Sequence, residues 1–279
     1  MGTRTRVELG RREDLGADCA NCFGLCCVAL AFAVSADFPF DKPAGEPCPN
    51  LDDQDACRVH AQLRTRGFKG CTVFDCFGAG QKTSRHTFAG RSWRDDDETR
   101  TAMFAAFPII RRLHELLWYL DQAITLVEAA GRDATPWQQR FEGVRELSDL
   151  PGARVLELDV DAEYDRTRSL LIHASELARQ QVPKPERSRR RQLGPQSNLM
   201  GARLARADLR GVCLRGSTLI AADLSGARLA RCDLRDADLS GADLEDAIYL
   251  TQMQVNSARG DTTTRLPPGF QRPSHWLTR

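Results

Sequence analysis

From Ser197 to Thr251 an apolar residue returns at every fifth position. Leu199, Leu204, Leu209, Leu214, Leu219, Leu224, Leu229, Leu234, Leu239 and Leu244 keep the beat, and Tyr249 takes the next place. Two positions before each stands a small or short residue: Ser197, Ala202, Ala207, Val212, Ser217, Ala222, Ala227, Cys232, Ala237, Ala242 and Ala247. The positions between are polar. Neither the helical period of 3.6 nor the strand period of 2 produces this spacing. On an α-helix, a period of five walks around the axis and buries nothing. A short fixed period instead predicts a solenoid, in which each unit turns the same corner and points its Leu at one axis. The inward residue beside the Leu is small because a packed core leaves it little room.

Asp or Asn often precedes the Leu, and Gly201, Gly211, Gly216, Gly226 and Gly241 close their units. This Ala-Asp/Asn-Leu-x-x pattern resembles the pentapeptide-repeat family across 197–251. The resemblance implies a right-handed quadrilateral β-helix, four units to a coil and a little under three coils. Coils would stack about 4.8 Å apart, so residues twenty apart become neighbours. Arg203 should then face Asp223, and Asp208 should face Arg228. Arg215 should face Arg235, a repulsion for Asp236 to relieve. Such surface pairs contribute about 0–1 kcal/mol each, which leaves the Leu columns to hold the coil together. An open end exposes the core and needs a cap. The tail through Pro267, Pro268, Phe270 and Trp276 is read as that cap, as in other proteins the repeat resembles.

Upstream the apolar period changes to three and four. Met103, Phe107, Ile110, Leu113, Leu117, Leu120, Ile124 and Val127 predict one amphipathic helix. Carboxylates at Asp95–Glu98 favour its start, and Pro108 predicts a kink or restart. Thr135 before Pro136 reads as an N-cap opening a helix to about Asp149. A further helix is expected from about Asp161 to Gln181, with Tyr164, Leu171, Ala174 and Ala178 inward. His114 and His173 on these helices read as ordinary polar or core positions.

The 279-residue chain carries a net charge of +1, so no global attraction to nucleic acid or membrane follows. Residues 95–182 hold 17 acidic and 10 basic side chains, read as a solvated face. Pro183–Gln196, with Lys184, Arg187, Arg189, Arg190 and Arg191 against Glu186, reads as a flexible linker. No apolar run reaches membrane-spanning length. Cys22–Val34 has the apolar character of a signal segment, but acidic residues precede it. The expected location is the cytoplasm.

Eight of the ten cysteines fall between residues 19 and 76: Cys19, Cys22, Cys26, Cys27, Cys48, Cys57, Cys71 and Cys76. In a reducing compartment this density points to metal rather than disulfides. Short spacings let one turn offer two thiolates, and distant pairs complete a tetrahedron. Adjacent Cys26 and Cys27 aim at one point with difficulty, so each would serve a different ion, or one is a packed thiol. Eight thiolates suit two four-sulfur zinc sites or an iron–sulfur cluster. His60, three after Cys57, is a possible additional ligand, as is His86. The segment resembles a family of small bacterial Cys-rich proteins described as zinc- or iron-chelating, although the opening spacing here is x2 then x3 rather than x3 then x2. With few large apolar residues it is expected to need metal to fold. Gly78–Thr83 does not complete a phosphate loop, because Gln81 and Cys76 stand where Gly is needed. Cys213 and Cys232 lie in the repeat, outward and inward.

The sequence therefore predicts a multidomain chain: a Cys-rich, metal-nucleated α/irregular domain (1–94), a helical region (95–182), a Pro/Arg linker (183–196) and a capped β-helix (197–279). No nucleophile–base pair or nucleotide loop is present, which favours a non-enzymatic protein. It would bind zinc or iron, sense metal or redox state, and meet a protein partner through the solenoid face, with its oligomeric state open. One alternative is a DNA mimic that protects DNA gyrase. It is disfavoured because residues 197–261 balance nine acids with eight Arg. The other is an iron-dependent or iron–sulfur enzyme using the Cys cluster.

Overall fold

A computed structural model describes residues 10–183 and 192–277. The charged residues of the expected linker, Lys184 to Arg191, lie outside them. The chain divides into two compact units. The first comprises 1–125 and 133–171, and the second 126–132 and 172–279. The Cys-rich segment and most of the helical region thus share one unit, while the end of the last long helix belongs with the repeats.

In the first unit the Cys-rich segment is mostly loops, with short helices α1 (Leu25–Val28), α2 (Lys69–Val73) and α3 (Ala79–Gln81). A π-helical turn, Lys82–Thr87, follows α3. The helical region is α4 (Asp97–Ala129), α5 (Thr135–Ser148), α6 (Gly152–Val155) and α7 (Val160–Gln181). All eight of the 3–4 spaced apolar residues on α4 are buried. The helix continues unbroken past Pro108, which therefore neither ends nor restarts it. α5 carries Pro136 in its first turn, but Thr135 is not its side-chain cap. The N-cap of α5 is Ala134, which offers no side-chain bond, and Asp133 Oδ1 just before it accepts the Thr135 backbone N–H at 3.0 Å and hydroxyl at 2.6 Å.

The Cys-rich segment, expected to need metal to fold, has an apolar core shared with α4. Phe23, Leu25, Val28 and Leu51 are buried in one core with Trp93, Met103, Ala106, Phe107 and Ile110. The long apolar face of α4 supplies the surface that a reading of residues 1–94 in isolation lacks. Leu25 and Val28, from the stretch resembling a signal segment, are fully buried here.

In the second unit, residues twenty apart pair in parallel: Asn198 with Thr218, Arg203 with Asp223, Asp208 with Arg228, Cys213 with Asp233, Thr218 with Asp238, and Asp223 with Asp243. Four five-residue units therefore make one coil. Each side contributes a single bridging residue, and among the described residues no extended strand forms. Every Leu of the column from Leu199 to Leu244 except Leu204 is essentially excluded from solvent, and Leu204 packs against the same core. The corner position turns with positive φ at Gly201, Arg206, Gly211, Gly216, Ala221, Gly226, Arg231, Asp236 and Gly241. Glycine takes this conformation without a Cβ penalty, which explains its frequency at the end of the unit.

Arg215 and Arg235 are relieved differently from expectation. Asp233 holds Arg235 through two bonds, 2.9 and 2.6 Å, whereas Asp236 lies 3.9 Å from Arg259. The coil also continues beyond the regular repeat. Asp238 pairs with Arg259 and Asp243 with Arg265, at spacings stretched by α8 (Gln252–Ser257). α8 opens with a capping box between Thr251 and Gln254. The Gln254 amide donates to Leu229 O and Cys232 O at 2.7 and 2.8 Å, so it satisfies carbonyls at the core's end. Trp276 is buried there, over Gly260, where a Cβ would come within 2.7 Å of its ring.

Among the described residues no helix is long and apolar enough to cross a membrane.

Candidate metal centre

The eight N-terminal cysteines sit on loops and short helices gathered against α4. Cys48 is buried, Cys22, Cys27, Cys57, Cys71 and Cys76 are half-buried, and Cys19 and Cys26 reach the surface. Cys26 is their common neighbour. Burial raises the thiols of Cys19, Cys22, Cys71 and Cys76 most, and the charge of Cys26 adds to it at each. Cys48 joins through the backbone, its N–H donating to Cys27 O at 2.9 Å. Leu51 and Cys57 form an antiparallel bridge that brings the second pair back toward the first.

Cys26 Sγ and Cys27 Sγ are 3.9 Å apart, close to the roughly 3.8 Å that separates two sulfurs on one tetrahedral zinc with Zn–S near 2.3 Å. Among the described residues, however, no three His, Cys, Asp or Glu side chains stand close enough to hold one ion. The thiols are neighbours without converging on a point. His60 and His86 are exposed, and neither is a principal influence on any of these thiols.

The backbone N–H groups of Leu25 and Gly24 lie near Cys22, that of Cys27 near Cys26, that of Val59 near Cys57, and that of Gly80 near Cys76. Such neighbours favour the thiolate, the form that binds metal. Gly24 makes the first of these turns possible. Its φ is +64°, and a Cβ would stand 2.6 Å from Leu51 Cδ1. Gly80 leaves a second cradle, because a Cβ there would be 2.7 Å from Cys22 Sγ and 4.0 Å from Cys76 Sγ.

Without an ion, desolvation dominates most of these groups. It pushes Cys19 up to about 11 and Cys22 and Cys71 up to about 12, and drives Cys76 higher still. Cys27 keeps its single proton, which faces Cys26 and Cys57, and this is the chief reason both fall, Cys57 to about 6. A divalent ion replaces such protons as it binds. The residues present therefore fit a thiolate-held metal in donor type and in the shape of the backbone around them.

Two further groups lie in this unit, Lys42, which had no signal in the sequence, and His114, read there only as a polar or core position. Lys42 is buried, and its ammonium donates to Val28 O, Pro43 O and Glu46 O at 3.2, 2.8 and 2.8 Å. It lies within electrostatic reach of Cys48, Cys27 and Cys26. His114, on α4, holds the carbonyl of Phe77 at 2.7 Å through Nδ1, next to Cys76. Outside this region, Cys213 is exposed with its Sγ 3.9 Å from Asp233, and Cys232 is a buried core residue.

A family model described as pentapeptide repeats matches residues 195–219 and 213–248, in eight copies. "Uncharacterized protein YybG" of Bacillus subtilis (strain 168) is 47% identical over 268 residues, covering 94% of this chain and 95% of that protein. The chain is a pentapeptide-repeat protein of the YybG family. The YybG match is nearly as long as both chains, so it spans the Cys-rich unit as well as the repeats. No solved structure matches.

Proposed function

We propose that this YybG-family chain is a non-enzymatic cytoplasmic protein. It would hold zinc, iron or an iron–sulfur cluster on N-terminal thiolates, and offer the outer faces of its solenoid to a protein partner. The observation that carries the metal reading is the geometry of the cysteines: Cys26 Sγ stands 3.9 Å from Cys27 Sγ, and Gly80 leaves room beside the sulfurs of Cys22 and Cys76. The ligands would come from Cys19, Cys22, Cys26, Cys27, Cys48, Cys57, Cys71 and Cys76, brought together by side-chain rotation within the existing loops. Zinc would tie these loops together, and iron would add one-electron chemistry. Metal or redox sensing follows naturally from a site whose protons and ion compete for the same sulfurs.

The interaction reading rests on the solenoid. Taken with its family resemblance as a right-handed quadrilateral β-helix, it presents flat ladders of alternating charge. Asp208 binds Arg210, Asp233 binds Arg235, and Asp243 binds Arg265. Such mixed faces suit a protein surface better than imitation of an acidic duplex.

Anaerobic purification with elemental analysis and a visible spectrum tests the proposal. One or two zinc or iron ions per chain are expected, falling by at least half in the double variant Cys26→Ser, Cys57→Ser. Metal-free protein with eight reactive N-terminal thiols, and no uptake of added Zn²⁺ or Fe²⁺, would overturn it.

A further inference from the structure

In the second unit, Asp208, Arg228 and Ile248 succeed one another on one side of the coil. This is an outward position, yet Arg228 is only 6% exposed. The end of α7 lies nearby. Arg179 donates to Arg206 O at 2.6 Å, and Arg206 donates to Val182 O at 3.2 Å. Gly226 gives Val182 its place, since a Cβ there would be 3.0 Å from Val182 Cγ2. Three guanidinium groups, Arg179, Arg206 and Arg228, are thereby brought together. Burial first, then the charges of Arg228 and Arg206, push the Arg179 guanidinium below its usual range.

The negative charge at hand does not satisfy them. Asp208 is held by Arg210 through two bonds of 2.7 Å and reaches Arg228 only at 4.0 Å. Glu176 lies within electrostatic reach of Arg179 but forms no hydrogen bond with it. The phenol of Tyr249 is close enough to feel Arg228 and Arg210. The Nε atoms of Arg179 and Arg228 are both buried with no acceptor. A buried donor without a partner is costly, more so on a charged group. Val182, whose carbonyl accepts from Arg206, also lines a cavity of about 580 Å³ with Gln181, Arg203, Asp223, Ser225 and Asp246; the three guanidinium groups are not part of that lining.

We propose that Arg179, Arg206 and Arg228 form a binding site for a tetrahedral oxyanion, the phosphoryl group of a small solute. Three guanidinium groups offer more N–H donors than the two oxygens of a carboxylate accept, whereas phosphate presents an oxygen to each. The site is independent of the thiol cluster and of any metal there.

Calorimetric titration of the full-length protein with inorganic phosphate tests it, with acetate and chloride at equal ionic strength as comparisons. Saturable one-site phosphate binding is expected, with a dissociation constant of roughly 1 mM or lower. Arg228→Gln should weaken it about tenfold or more, and Arg235→Gln, whose partner is Asp233, should leave it unchanged. If Arg228→Gln does not fold, Arg179→Gln is read in the same way. Absence of saturable phosphate binding in the unaltered protein, acetate binding as tightly, or undiminished affinity in the cluster variant would overturn the assignment.

Discussion

Phe77 is buried and left-handed, with φ +50°, a conformation that costs a non-glycine residue about 1–2 kcal/mol. Two groups hold it there. Asp75 Oδ1 accepts its N–H at 2.8 Å, and His114 Nδ1 binds its carbonyl. A carbonyl only accepts, so Nδ1 carries the proton. Burial pushes His114 down to about 4 from its usual 6.5. The unfolded chain takes up a proton first as pH falls, so this contribution is complete above about pH 6.5 and is lost between there and about pH 4. It amounts to something on the order of 3 kcal/mol. His114→Gln keeps a donor without a titrating ring, and should flatten the pH dependence of denaturant unfolding in that window; an unchanged slope would refute the assignment. Lys42→Met leaves three carbonyls without their donor, the one on Val28 buried, with an expected loss of about 1–3 kcal/mol in unfolding free energy. Neither role was legible in the sequence. A lone His on a helix and a lone Lys in a loop have no period, and their roles depend on carbonyls 37 and 14 residues away.

At the scale of elements, the Leu column and the end cap share one core. Trp276 fills the end, donating to Ala258 O at 3.0 Å. Trp276→Ala should cost about 3–5 kcal/mol and expose the last coil, seen as faster amide exchange around 239–265 than around 199–214. Uniform exchange would mean that the end is closed by α8 alone. The twenty-residue pairing was legible through the resemblance to pentapeptide repeats, which implies four units to a coil; the period of five alone fixes the unit. The insertion of α8, and the stretched pairs Asp238 with Arg259 and Asp243 with Arg265, were not, because the period stops where they begin. α4 was legible at its eight apolar positions spaced by three and four; the further burial of Leu116, Trp118 and Tyr119 was not. That it would pass Pro108 unbroken was not, since the tertiary packing of Phe107 and Ile110 outweighs one missing backbone bond.

At the scale of the molecule, the two units respond separately to metal removal if the proposed centre is correct. Chelation should raise amide exchange over residues 19–80 by tenfold or more and leave Leu199–Leu244 unchanged. The repeat core contains no ligand and is closed by its own cap. Complete unfolding of the first unit is not expected, because Phe23, Leu25, Val28 and Leu51 remain packed on α4 whether or not an ion is present. Loss of all helical signal on chelation would show that metal, rather than this shared core, holds the unit together.

The sequence alone determined what is periodic: the five-residue unit with its inward Leu and small residues, and the apolar positions of α4 spaced by three and four. Each follows from a spacing between near neighbours, whereas the number of units in a coil came from the family resemblance. The tertiary structure alone decided what joins distant segments. It placed the Cys-rich loops in one core with α4, set Lys42 and His114 beside the thiols, and brought Arg179 to Arg206 and Arg228. Those contacts depend on where loops of no fixed period turn, and the energy that selects them comes from burial across the whole unit.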